Sequence, residues 1–180
     1  MQRVDRDRAG FSLVELLLAM ALGVLLSGVA IQLLLGDVRV SGGLARRFQL
    51  RSWQRRTLAL VKDDLDRASS WQVRPESSRT WPCALAGRQP RLVISPRDGS
   101  VAVVYSIGAA PSPIWRGPVL MRCGPAFTLD GRPSGGAYQN RVVLDGVERF
   151  TVDDDPELPV LLLQLEQRSG DQLIRSSAVG

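Results

Sequence analysis

The chain has 180 residues, 44% hydrophobic and 23% charged, with 23 basic and 18 acidic side chains and a formal net charge of +5. A mean hydropathy of zero excludes a disordered tail, a collagen-like chain and a multi-span membrane protein. There is no histidine and a single lysine, Lys62, so the commonest general base and metal ligand are missing. No phosphate loop, nucleophile elbow or cysteine–histidine pair compensates, and the chain is read as a non-enzyme without metal or cofactor.

The first ten residues, Met1 to Gly10, form a short polar leader with three Arg and two Asp. From Phe11 to Leu35 the text changes: 19 of these 25 residues are hydrophobic, and only Glu15 is charged. A bilayer core about 30 Å thick needs about 20 helical residues. The run is long enough to cross it, is too long for the apolar region of a secretory signal, and is closed by no Ala-x-Ala-like site. A retained membrane helix is expected. A carboxylate on such a helix costs roughly 2.5–3.5 kcal/mol at the bilayer centre, and such groups usually have a partner. Glu15 lies four residues after Phe11, within reach of a free amino group there. Orientation is left open by charge. The leader Arg point to the cytoplasmic side, yet Arg39, Arg46, Arg47, Arg51, Arg55 and Arg56 flank the other end, with no acid between Val38 and Val61.

Residues 36–68 carry no proline and are expected to continue the helix, weakened at Gly36, Gly42 and Gly43. Leu50, Trp53, Thr57, Val61, Leu65 and Ala68 recur at three- and four-residue steps, the stripe of an amphipathic helix that packs on a sheet. A helix from Phe11 to Ala68 would be about 87 Å long. Residues 69–180 are punctuated by Pro and Gly. Strands are expected at Arg91–Ser95, Val101–Ile107, Val119–Cys123, Arg141–Leu144, Val147–Val152, Val160–Gln167 and, more weakly, Gln172–Ala178. Turns at Pro96–Gly99 and Asp145-Gly146 suggest hairpins. Ser69–Arg79 and Ser134–Gly136 read as loops. One helix followed by strands argues α+β with an antiparallel sheet.

The segment Gly10-Phe11-Ser12-Leu13-Val14-Glu15-Leu16-Leu17-Leu18-Ala19-Met20 resembles the class III signal of type IV prepilins. That signal is a short basic leader ending in Gly, then Phe, Thr or Ser, Leu–hydrophobic–Glu, and an apolar helix. The resemblance implies a pilin-like fold with the first half of the helix in the membrane. It also implies cleavage between Gly10 and Phe11 by a prepilin peptidase, N-methylation of Phe11, and pairing of Glu15 with the terminal amine of a neighbouring subunit. The leader is then cytoplasmic, and the body, anchored in the inner membrane, is extracytoplasmic. A Cys83–Cys123 disulfide follows as an expectation.

The body is loosely similar to minor pilins and to J-type minor pseudopilins. The likeness rests on Leu60-Val61-Lys62-Asp63-Asp64-Leu65-Asp66-Arg67-Ala68, Val103–Ile107, Val119-Leu120-Met121-Arg122-Cys123 and Leu144–Phe150. Cys123 lies 57 residues before the C-terminus, unlike the C-terminal disulfide-bounded loop of major pilins. The expected function is that of a minor type IV pilin, assembled with other pilin subunits into a pilus-like filament or priming one. The alternatives are a minor pseudopilin of type II secretion and a DNA-uptake pilin.

Two charged stretches invite other partners. The Arg run from Arg39 to Arg56, with Phe48 and Trp53, has the chemistry to contact nucleic acid or anionic headgroups. A solvated or intersubunit helix face is the preferred reading. Asp153-Asp154-Asp155-Pro156-Glu157 has oxygen ligands that suit calcium but lacks a loop signature, so a solvated turn is preferred. Trp71, Trp81 and Trp115 fall outside the helix stripe, and core packing is the simplest use for them.

Overall fold

The computed structural model describes residues 12–76, 80–128, 133–170 and 172–180, without the side chains of residues 34–44, 135, 169 and 172. Helix α1 spans Leu13–Asp66 and is followed by eight strands: β1 Ala68–Val73, β2 Gln89–Pro96, β3 Val103–Gly108, β4 Val119–Phe127, β5 Pro133–Asp145, β6 Val147–Asp154, β7 Leu161–Ser169 and β8 Gln172–Val179. The expected α+β, pilin-like architecture is what the structure has. The chain divides into two compact units, Met1–Arg47 and Phe48–Gly180. The second, called the head below, contains the last turns of α1 and all the strands.

Within the head the strands form two antiparallel sheets rather than one, β1-β2-β3-β4-β5 and β6-β7-β8. The α1 face from Leu58 through Val61 to Leu65 packs on both. The shared core includes Leu92, Ile94, Val103, Tyr105 and Leu120 from the first sheet, and Phe150, Val152, Leu161, Leu163 and Leu165 from the second. A smaller cluster of Val93, Val104 and Cys123 lies on the opposite face of the five-stranded sheet, as strand alternation requires. Trp81, Cys83 and Leu85 cover it. The Cys83–Cys123 disulfide fixes this cover, with Cα atoms 5.9 Å apart. Closing a 40-residue stretch stabilises the fold by about 3–4 kcal/mol on the chain-entropy model.

Four local expectations are corrected. Asp145-Gly146 closes no hairpin, because β5 pairs with β4 and β6 with β7 in separate sheets. Ser69–Arg79 is not all loop, because β1 runs along Ala68–Val73 and pairs with β2, Trp71 opposite Ile94 and Val73 opposite Leu92. Tertiary pairing outweighs the two serines. Ser134–Gly136 lies within β5, an edge strand, where Gly and Pro leave no ladder bond to a further strand unmet. The buried face of α1 runs through Leu50, Gln54, Thr57, Leu58, Val61, Asp64 and Leu65, while Trp53 is 42% exposed. Gln54 takes the place expected of Trp53 because the sheet offers it partners. Its amide donates to Ile174 O at 3.1 Å, and its Oε1 accepts from the Ser176 hydroxyl at 2.6 Å.

Charge at the end of α1 runs against the helix dipole, since Asp63, Asp64 and Asp66 crowd a C-terminus that favours cations. Arginines from elsewhere offset them. Arg67 pairs with Asp63 at 2.8 Å, and Arg122 pairs with Asp64 at 2.7 Å. Arg97 donates from its backbone N to Arg67 O and from Nε to Ala68 O, capping the chain as it turns into β1.

Candidate functional site

Two groups of residues stand out, one at the start of α1 and one inside the head. At the start, Ser12 O accepts from the backbone N of Glu15 at 3.0 Å and of Leu16 at 3.1 Å, opening the helix. Glu15 sits in the first turn, where a carboxylate suits the positive end of the helix dipole. From Leu13 to Leu33 the helix is long and apolar enough to cross a membrane, with mean hydropathy 2.3, and none of it is buried. Leu13, Leu17, Leu18, Val24 and Leu33 are all more than half exposed, a surface that water alone does not favour. Glu15 is the one acid on this surface. Gly10 and Phe11, the expected cleavage and methylation residues, lie outside the described residues.

Inside the head, sequence inspection missed a buried polar triad. Arg122 of β4 forks onto Asp64 of α1, with Nε to Oδ2 at 2.7 Å and Nη2 to Oδ1 at 2.9 Å. The Tyr105 hydroxyl of β3 donates to the same Oδ2 at 2.7 Å. Arg122 Nη1 donates to Pro125 O at 3.0 Å, and the guanidinium lies 4.7 Å from the centre of the Phe127 ring. Gly124 makes room, since a Cβ there would fall 2.7 Å from Arg122 Nη1. The side chains of Asp64 and Arg122 are 4% and 6% exposed. The triad's bonds are all internal, and they clamp the helix to the sheet. A signal for it was present: an Arg in the apolar strand Val119–Cys123 and an Asp one helical step beyond Val61, two opposite charges at inward positions.

Burial drives the Tyr105 phenol well above its ordinary range, and the Asp64 carboxylate beside it adds to the rise. Burial by itself would lower Arg122, but the bond and charge of Asp64 outweigh it and hold the guanidinium above its usual value. The folded Tyr105 keeps its proton at a pH where the unfolded chain loses it. Folding therefore binds more protons there, and stability falls as pH rises above about 10. Tyr105→Phe should lessen this alkaline slope by up to about 1.4 kcal/mol per pH unit, and should cost about 1–2 kcal/mol at neutral pH through the lost hydrogen bond. Urea unfolding at neutral and alkaline pH checks both; an unchanged slope counts against the buried phenol.

The remaining candidates are placed as follows. Arg46, Arg47, Arg51, Arg55 and Arg56 are exposed, and so is Phe48 at 68%. Phe48 thus lies off the buried face of α1, and so does Trp53, which was expected in the apolar stripe. The acidic cluster is engaged within the head. Asp153 pairs with Arg74 at 2.7 Å, Asp154 accepts from the Trp71 indole at 3.0 Å, and Asp155 accepts from the backbone N of Glu157 and Leu158. Among the described residues no group of three or more acids or cysteines is arranged to hold a metal. Trp71 packs against the main core and Trp81 against the disulfide cluster, whereas Trp115 stands on an exposed loop.

The helix start and the strands behind it define a class: a chain with one membrane-capable N-terminal helix, a pilin-like α+β head and a disulfide. Residues 5–31 match the prokaryotic N-terminal methylation motif. The chain thus carries the class III signal of type IV prepilins, which implies processing by prepilin peptidase and assembly with other pilins. No curated protein and no solved structure gives a significant match to the chain.

Proposed function

We propose that the chain is a minor type IV pilin, cut between Gly10 and Phe11, N-methylated on Phe11, and assembled into a pilus-like filament or its priming tip. The observation that carries this is the methylation motif over residues 5–31, set directly on a helix able to cross the membrane. Residues 1–10 are the leader and 11–35 the membrane and assembly segment. Residues 36–68 continue the helix toward a β-rich extracytoplasmic head. Glu15 meets the amine of a neighbouring Phe11, since a carboxylate in lipid is tolerable when paired.

The work is assembly, with no catalytic step. A minor rather than a major subunit is favoured by the loose likeness of Leu60–Ala68, Val103–Ile107 and Leu144–Phe150 to minor pilins. The expected result is that filaments sheared from cells contain the chain in small amounts beside a major subunit. If it is confined to membranes while such filaments are made, it is an anchored domain that never polymerises. A secretion defect without loss of surface pili would move it to the pseudopilins.

A further inference from the structure

We propose that the outward face of α1 on the head, Phe48 with Arg51, Arg55 and Arg56, docks a carboxylate-bearing surface of a different pilin subunit, and not a second copy of this chain. This rests on the assembly reading above and names the chemistry of the neighbour. The whole face belongs to the unit Phe48–Gly180.

Helix periodicity sets this face apart. Phe48, Ser52, Arg55 and Ala59 follow one another at steps of four, three and four residues, so they share one side of α1. Arg51 and Lys62 border it on one flank and Arg56 on the other. All seven are exposed, on the side opposite the buried Leu50, Gln54, Thr57 and Val61. Phe48, at 68% exposure, is a large apolar side chain left in water among cations.

The charge of this face is unmatched. Residues 48–62 carry four cations and no acid, whereas residues 67–180 carry 13 cations and 11 acids and so nearly balance. Among the described residues Arg51, Arg55 and Arg56 make no ion pair. Arg51 and Arg55 stand one helical step apart, where like charges repel. An opposed acidic surface relieves that repulsion and steers the encounter. A second copy does not supply one. Two such faces set together bring only cations, and of the copy's acids Asp63, Asp64, Glu148, Asp153 and Glu166 are already paired with arginines. A pilin neighbour is favoured over nucleic acid on two grounds. The methylation motif implies assembly with other pilins. Phe48 and Trp53 lie about 140° apart around the helix, too far apart to stack successive bases of one strand.

The test replaces Ser52 or Ala59 of the full chain by the photocrosslinker p-benzoylphenylalanine, in cells that assemble filaments. Adducts from sheared filaments are mapped by mass spectrometry. The expected adduct joins either position to a pilin subunit of different sequence, beside Asp or Glu side chains of that subunit. Changing Arg51, Arg55 and Arg56 together to Glu should lower this adduct at least about tenfold. Changing the mapped acids of the neighbour to Lys should then restore it, which a chain that has failed to fold could not show. An adduct to a second copy or to nucleic acid overturns the proposal. So does a chain present in filaments that forms no adduct, whose adduct survives the charge reversal, or whose loss is not rescued. A chain confined to membranes overturns the assembly reading and this proposal together.

Discussion

Asp64→Asn should lower the stability of the head by about 3–5 kcal/mol, because it leaves the Arg122 guanidinium buried without a counter-charge. Arg122 is held by two bonds to Asp64 and one to Pro125 O, and is only 6% exposed. Asparagine keeps the shape and one acceptor but removes the charge that offsets desolvation. Arg122→Met fails in the mirror sense, stranding Asp64 with only the Tyr105 hydroxyl as a partner. Replacing both by leucine should cost less than either single change, since no buried charge remains. The measurement is urea unfolding of the full chain in detergent, followed by tryptophan fluorescence. A loss below about 1 kcal/mol for Asp64→Asn would show the pair to be solvated, as surface pairs are. The consequence reaches function, because this clamp is where the last turn of α1 meets β3 and β4.

Glu15→Ala should leave the chain processed and membrane-bound but lower its incorporation into filaments by at least about 100-fold. Removing one member of a pair buried in lipid costs about 3–5 kcal/mol, and about 1.4 kcal/mol is tenfold. Glu15 is the only charge on the apolar span and stands on its first turn, where it can approach an amine at the tip of a neighbouring helix. Glu15→Gln should fall nearly as far, since it keeps the shape and loses the charge. Quantifying the chain in sheared filaments against the membrane pool separates the cases. Equal incorporation of wild type and Glu15→Ala would remove the proposed pairing.

Much of this was legible because the strongest signals were local. A methylation motif, a 25-residue apolar run and turn-bounded strands each announce themselves within a short window, and most strands fall within a few residues of their expected limits. What was missed depends on distant partners. Gln54 is buried because Ile174 and Ser176, about 120 residues away, complete its bonds. Trp53 is left outside by the same register, although it is the more apolar residue. β1 exists because β2 pairs with it, against a loop-like composition. The Asp64–Tyr105–Arg122 clamp spans three elements far apart in sequence, and its inward charges find each other only once the sheet register sets Tyr105 opposite Arg122. The division into two sheets follows a one-residue joint at Gly146, which in sequence looks like an ordinary hairpin turn.

The central claim is that this chain is a processed, methylated prepilin. Its most direct test is the intact mass and N-terminal sequence of the protein from cells that contain an active prepilin peptidase. The predicted result is a chain that begins at Phe11 and carries one methyl group on its terminal amine. A chain that still begins at Met1, or one cut after the apolar run, would contradict it.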